Sequence, residues 1–126
     1  MISILLAVRD RASMSALNAG LAGSDVHITW AESGGIGISM ITESKIDLVI
    51  TDENLADMTG LEFIQKVVSI KPMVNCAAVS SLTPEDFHEA SEGLGILMQL
   101  PVRPGKEHAE LLLAHLKNIL NTMKIK

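Results

Sequence analysis

The stretch at residues 47–62 reads DLVITDENLADMTGLE and sets the fold class. Residues 48–51 are mostly apolar and mostly β-branched, which is typical of a strand that is buried on both faces. Asp52 follows this strand directly, and Gly60 opens a run in which apolar residues recur at helical spacing. A buried strand, a polar turn and an amphipathic helix in this order form one β/α unit.

The same alternation continues on both sides of this stretch. Apolar runs predict strands at residues 2–8, 26–31, 46–51, 74–80 and 96–99, and helical spacing predicts helices at residues 12–22, 33–43, 59–70, from Thr83 onward, and at 107–123. Such units with right-handed crossovers predict an α/β fold, a flavodoxin-like (βα)5 doubly wound parallel sheet of strand order 2-1-3-4-5. We expect one domain over residues 1–123, with residues 124–126 as a tail or the start of a linker.

The composition argues against several classes of protein. Of the 126 residues, 48% are hydrophobic and only 2% are aromatic, so we expect a single core filled by aliphatic side chains. The net charge of -5 repels nucleic-acid phosphates and argues against nucleic-acid binding by this domain. No apolar run has the length of a membrane span or the pattern of a signal peptide. The lone Cys76 fits a reducing compartment, so we expect a cytoplasmic domain with no membrane partner.

Three polar residues stand at the ends of predicted central strands: Asp10, Asp52 and Ser80. Doubly wound sheets bind their ligands at this edge. Two carboxylates that converge there repel each other unless a cation lies between them, and Mg²⁺ prefers oxygen ligands. A carboxylate can also attack phosphorus to form an aspartyl phosphate, and a nearby hydroxyl can donate a hydrogen bond to a phosphoryl oxygen. A single aspartate at a strand end is more often a turn residue, but the three together favour a phosphoryl site.

Residues 47–62 resemble the third strand and the following loop of receiver domains in two-component response regulators. In that family the phosphoacceptor aspartate is followed by a loop of the form N-[LM]-P-x-M-x-G. The resemblance implies that Asp52 is the phosphoacceptor and that Gly60 is the loop glycine. It also implies a magnesium site formed by Asp10, Asp52 and the backbone carbonyl of Asn54.

The resemblance extends over nearly the whole chain, with departures. Ser80 matches the switch hydroxyl, and Pro101 matches the proline after the fifth strand, which the family often holds in a cis peptide bond. Arg9 replaces the first member of the acidic pair after the first strand. Leu100 replaces the lysine before the proline, and Leu97 replaces the aromatic switch residue.

These departures predict weakened phosphorylation chemistry. With one acid fewer and Arg9 nearby, we expect Mg²⁺ binding to be weak or absent. Leu100 cannot neutralise a phosphoryl oxygen. Arg9 is the candidate pocket cation, which either binds the phosphoryl group or pairs with Asp52; the alternative is that Arg9 points to solvent. Glu53 is expected to be a solvated loop residue, the alternative being an additional acid at the pocket mouth.

The resulting functional hypothesis is a signalling module rather than an enzyme. By resemblance, its partners are a sensor histidine kinase or phosphotransfer protein, and a second copy through the face of the fourth helix, fifth strand and fifth helix. We expect a stand-alone regulator or the N-terminal piece of a longer protein.

Three alternatives remain open from the sequence. The first is a pseudo-receiver that acts as a protein-interaction module without phosphorylation. The second is a small phosphohydrolase with Asp52 as nucleophile, against which Asn54 stands where a second acid is needed. The third, a flavodoxin-like cofactor binder, is disfavoured because no aromatic residue is evident to stack on a flavin, so we expect no organic cofactor.

Overall fold

The computed structural model describes residues 1–23 and 25–124 of the chain. The elements in chain order are β1 (Ile2–Ala7), a short 3₁₀ helix (Arg11–Met14), α1 (Ser15–Leu21), β2 (Val26–Ala31), α2 (Gly34–Glu43), β3 (Leu48–Thr51), α3 (Gly60–Ile70), β4 (Asn75–Val79), α4 (Pro84–Ala90), β5 (Met98–Leu100) and α5 (Lys106–Lys124). The strands form one parallel sheet of order β2-β1-β3-β4-β5. The predicted fold class and strand order are therefore confirmed.

The sheet separates two apolar layers, because successive side chains of a strand point to opposite faces. On β1, Ile4 and Leu6 pack with α1 and α5, whereas Leu5 and Ala7 pack with α2, α3 and α4. Phe63 of α3 is the largest fully buried side chain, and aliphatic residues fill most of the rest. This composition of the core agrees with the low aromatic content of the sequence.

Several element boundaries differ from those predicted. The helix predicted at residues 12–22 is divided into the 3₁₀ helix and α1, because the Asp10 side chain caps a tight first turn. Strand β5 ends at Leu100, one residue later than predicted, since this residue pairs with Val79 of β4. No cis peptide bond occurs among the described residues, so the bond before Pro101 is trans.

The glycine-rich helix α2 forms over its full predicted length. The side chain of Ser33 caps its first turn by accepting a hydrogen bond from the amide of Ile36 at 3.2 Å. At the other end of the chain, α5 extends to Lys124, and residues 125–126 of the predicted tail lie outside the described residues. None of the described helices combines the length and the apolar character needed to cross a membrane.

Candidate functional site

The carboxyl ends of β1, β3 and β4 meet at one edge of the sheet. Ala7 pairs with Thr51, and Thr51 pairs with Ala78, so these three strands end at the same level. The Asp52 amide continues the ladder by donating to the carbonyl of Ala7 at 2.9 Å. The loops that leave this edge carry Asp10, Asp52 and Ser80. The structure therefore brings the three predicted residues to the same edge of the sheet, where the central strands end.

Asp52 is a half-buried carboxylate at the end of β3. Its Oδ1 accepts a hydrogen bond from the amide of Glu53 at 2.8 Å. Burial raises the pKa of Asp52; the Glu53 hydrogen bond opposes this rise, and the negative charges of Glu53 and Asp10 add to it. The negative charge of Asp10 therefore acts on Asp52, although burial has the larger effect.

The oxygen atoms available for a metal ion fit a hard cation. Asp10 is exposed, and its Oδ1 accepts the amide of Ala12 at 3.1 Å. Within the described ranges, the second carboxylate oxygens of Asp10 and Asp52 accept no hydrogen bond. Among the same residues, no cluster of three or more His, Cys, Asp or Glu side chains forms a metal site. Two carboxylates, with water and a backbone carbonyl, make the kind of ligand set that Mg²⁺ takes.

Asn54, whose backbone carbonyl is expected to bind the metal, lies in the loop after β3. It lies opposite Thr59 in a short antiparallel bridge. The hydrogen bonds of this bridge run from Gly60 to Glu53 at 2.9 Å and from Leu55 to Met58 at 2.8 Å. The carbonyl of Asn54 is thus left out of the bridge and is free to bind another group.

The candidate pocket cation, Arg9, lies in the loop after β1. Arg9 is exposed and forms no salt bridge with a carboxylate in the part of the chain that the structure describes. Leu100 is fully buried in the layer beneath α1 and α5, and its carbonyl accepts the amide of Ser80 at 3.0 Å. A second arginine near this end of the sheet, Arg11, packs its guanidinium over the ring of Trp30, 4.9 Å from the ring centroid.

The Glu53 side chain joins the ends of β3 and β4 by hydrogen bonds. Its Oε2 accepts hydrogen bonds from the amide of Ser81 at 2.8 Å, from the hydroxyl of Ser81 at 2.9 Å and from the hydroxyl of Ser80 at 3.4 Å. Glu53 is therefore more than a solvated loop residue: it is partly exposed, and its carboxylate is also held by Ser80 and Ser81. Nothing local in the sequence signals this contact, since 28 residues separate Glu53 from Ser81; only the adjacency of β3 and β4 brings them together.

Asp57 is a second residue whose role the sequence did not reveal. Its carboxylate accepts the amide of Gly34 at 2.7 Å and the amide of Gly35 at 3.0 Å, at the start of α2. These two hydrogen bonds lower the pKa of Asp57. The loop that follows Asp52 is thereby fastened to the neighbouring helix, which limits the positions open to Asn54.

The family model of the response regulator receiver domain matches residues 4–101. The chain belongs to this family. It is 28% identical over 102 residues to the transcriptional regulatory protein GlrR of Escherichia coli (strain K12), a match that covers 79% of this chain and 23% of GlrR. The protein QseF of Escherichia coli O157:H7 matches to the same extent. The chain thus spans less than a quarter of the length of these two relatives.

Solved receiver domains have the same fold. The signal receiver domain of a LuxO repressor protein from Vibrio parahaemolyticus superimposes with a TM-score of 0.85 at 18% identity, over 99% of this chain and 97% of that one. The receiver domain of an HD domain-containing protein from Pseudomonas fluorescens Pf-5 gives 0.84 at 15% identity, over 99% and 93%. A CheY-like receiver from Methanospirillum hungatei JF-1 gives 0.80 at 20% identity, over 98% and 97%.

The chain therefore forms a response regulator receiver domain of the kind used in two-component phosphorelay signalling. Receiver domains are signalling modules that interact with histidine kinases or phosphotransfer proteins, and they generally bind Mg²⁺ for phosphorylation. The predicted family and function are confirmed at this level.

Proposed function

We propose that Asp52 accepts a phosphoryl group from a sensor histidine kinase or a phosphotransfer protein, and that this reaction is weaker than in a receiver with a complete pocket. The observation that carries the proposal is the position of Asp52. It lies half-buried at the end of a central strand, with one carboxylate oxygen bonded to the Glu53 amide. Ser80 follows the adjacent strand β4, which ends at the same edge of the sheet.

The proposed phosphoryl transfer uses the Asp52 carboxylate as the nucleophile. An Asp52 oxygen attacks the phosphorus of the donor, a new oxygen–phosphorus bond forms, and the bond from phosphorus to the donor nitrogen breaks. The donor nitrogen leaves with the electron pair of that bond and takes up a proton. The product is an aspartyl phosphate, a mixed anhydride whose phosphoryl oxygens require hydrogen-bond donors and positive charge. The Ser80 hydroxyl, directly after the neighbouring strand β4, is the proposed donor.

The residues that would hold Mg²⁺ are Asp10, Asp52 and the carbonyl of Asn54. When bound, this ion supplies positive charge that compensates the carboxylates and the incoming phosphoryl oxygens. The contribution of this chain is to place two carboxylates at one edge of the sheet and to keep the Asn54 carbonyl out of the loop's hydrogen bonds.

The proposed weakening of phosphorylation is supported by the lack of a lysine at position 100 and by the exposed position of Arg9. Leu100 ends β5 with its side chain fully buried in the core, and it offers no charge to a phosphoryl oxygen. Arg9 can serve as the pocket cation only after its exposed side chain moves toward Asp52, and ordering a long side chain costs conformational entropy. We therefore expect Arg9 to replace the lysine poorly.

The remaining features of the proposal concern partners. Exposed Leu82, Val102 and Leu111 lie on or next to α4, β5 and α5, and they support a homodimer through this face. The net charge of -5 supports the absence of nucleic-acid binding by this domain.

We also propose that the domain works in the cytoplasm and is not an enzyme. Release of phosphate from p-nitrophenyl phosphate with Mg²⁺, abolished by Asp52→Asn, would contradict the last point.

The central test is labelling with phosphoramidate and Mg²⁺, read by intact mass. We expect slow addition of one phosphoryl group to the wild type and none to Asp52→Asn. Rapid stoichiometric labelling would contradict the weakened pocket. A complete absence of labelling, with and without a kinase, would favour the pseudo-receiver alternative, in which the domain binds partners without phosphorylation.

A further inference from the structure

Three hydrogen-bond donors converge on one atom, the Oε2 oxygen of Glu53. The Ser81 amide lies at 2.8 Å, the Ser81 hydroxyl at 2.9 Å and the Ser80 hydroxyl at 3.4 Å. Several donors around one charged oxygen are the arrangement that an anion requires. The two serines and the backbone amide of Ser81 thus form an anion site at the start of the loop after β4, and a side chain of the same molecule fills it.

The main chain of Glu53 is fixed on both sides of this contact. Its amide donates to Asp52 Oδ1 at 2.8 Å, and its carbonyl accepts the amide of Gly60 at 2.9 Å. The Glu53 side chain borders an open cleft of about 430 Å³ that Asn54 and Leu82 also line. Glu53 therefore links the proposed acceptor directly to the loop after the neighbouring strand.

Ser80 has its hydrogen-bonding capacity committed in this arrangement. The residue is 7% exposed, and its oxygen accepts the amide of Leu82 at 3.1 Å. A serine hydroxyl has a single hydrogen to donate, and the Glu53 carboxylate is its acceptor here through a long contact of 3.4 Å. The hydroxyl cannot bind a phosphoryl oxygen while it donates to the carboxylate.

We propose that Glu53 is a positioning residue whose carboxylate occupies the anion site of Ser80 and Ser81, so that a phosphoryl group on Asp52 has to displace it. The displacement of Glu53 by a phosphoryl group rests on the proposed function of Asp52. The occupancy of the anion site by the Glu53 carboxylate does not. A phosphoryl group and the Glu53 carboxylate are both negative, and they compete for the same donors. Glu53 thereby holds the loop after β4 in an anion-bound arrangement in the absence of phosphorylation.

The test uses the full chain with Glu53→Gln, Glu53→Ala and the control Glu89→Gln. Glu89 is exposed on α4, and its side chain makes no hydrogen bond within the described part of the chain, so this variant removes one negative charge without touching the serines. Two quantities are measured: solvent exchange of the Ser81 backbone amide by NMR, and the rate of labelling by phosphoramidate and Mg²⁺.

We expect the Ser81 amide of Glu53→Ala to exchange at least about tenfold faster than that of the wild type, since a charge-assisted hydrogen bond is lost. Glutamine keeps an acceptor oxygen but not the charge. Glu53→Gln should therefore retain part of the amide protection while labelling of Asp52 accelerates by about tenfold. Glu89→Gln should match the wild type in both measurements.

Equal exchange of the Ser81 amide in the wild type and in Glu53→Ala would overturn the proposal, because the carboxylate would then not hold the site. Equal labelling rates in the wild type and both Glu53 variants would overturn it as well, because nothing would need to be displaced. If no variant is labelled, the proposed role of Asp52 fails, and the occupancy by Glu53 is decided by the amide exchange alone.

Discussion

The amide of Gly60 donates a hydrogen bond to the carbonyl of Glu53 at 2.9 Å, and this contact brings the start of α3 against the end of β3. A Cβ atom on Gly60 would collide with the backbone carbonyl oxygen of Asp52 and would press on the side chain of Thr51. The absence of a side chain at this position therefore lets the acceptor loop close.

We expect Gly60→Ala to lower the free energy of unfolding by about 2 kcal/mol, because the added carbon overlaps a backbone atom that cannot turn aside. The measurement is urea unfolding followed by circular dichroism. Gly35→Ala is the matched control, since its Cβ meets Asp57 at an ordinary 3.4 Å and alanine favours a helix. A Gly60→Ala protein as stable as Gly35→Ala would contradict the close approach.

Asp57 should stabilise the protein in a pH-dependent way. Its pKa in the folded protein is lowered by the amides of Gly34 and Gly35, so its contribution is present above the unfolded-state pKa of about 3.9 and is lost as the pH falls through the lower, folded value. We expect Asp57→Ala to have a lower urea midpoint than the wild type at pH 7, and the difference to shrink in acid.

The control for Asp57→Ala is Glu110→Gln, which removes one negative charge from an exposed position on α5. This variant should follow the wild type at every pH. A constant difference between Asp57→Ala and the wild type from pH 7 down to pH 2.5 would show that the carboxylate charge is not what fastens the loop to α2.

The ionised carboxylate of Asp52 should destabilise the folded protein, whereas that of Asp57 stabilises it. The pKa of Asp52 is raised in the folded protein, chiefly by burial, so the ionised carboxylate destabilises the fold at neutral pH and this cost disappears as the pH falls below about 3.9. Asparagine keeps an oxygen that accepts the Glu53 amide.

We therefore expect Asp52→Asn to be more stable than the wild type at pH 7, by less than about 1 kcal/mol because the carboxyl is half-exposed and solvent screens its charge. The two proteins should be equally stable at pH 3. The measurement is urea unfolding at several pH values, and a less stable Asp52→Asn at pH 7 is the result that contradicts this account.

Arg9→Asp restores the acidic pair that the family carries after the first strand. Replacing a positive charge by a negative one beside Asp10 should tighten Mg²⁺ binding by about tenfold or more. Isothermal titration calorimetry measures this directly. The control is Lys45→Asp, which makes the same change of charge at an exposed position after α2, at the opposite edge of the sheet. Equal tightening in both variants would mean that only the net charge matters.

Much of the architecture could be predicted from the sequence, because strands and helices are encoded by local patterns. The apolar run that ends at Thr51, and the alternation of such runs with helical spacing, were sufficient for the strand order and for the edge at which Asp52 lies. The boundary at Asp10 was harder to predict, since a side-chain cap converted the first turn of a helix into a 3₁₀ helix.

The sequence by itself determined the fold, the family and the substitutions Arg9 and Leu100, because each of these is a property of residue type and short-range spacing. Only the tertiary structure decided that Glu53 binds Ser80 and Ser81, that Asp57 holds α2 and that Arg9 remains exposed. The reason is physical: these contacts join residues that are distant in the chain and become neighbours only when β3 pairs with β4 and α2 packs beside the acceptor loop.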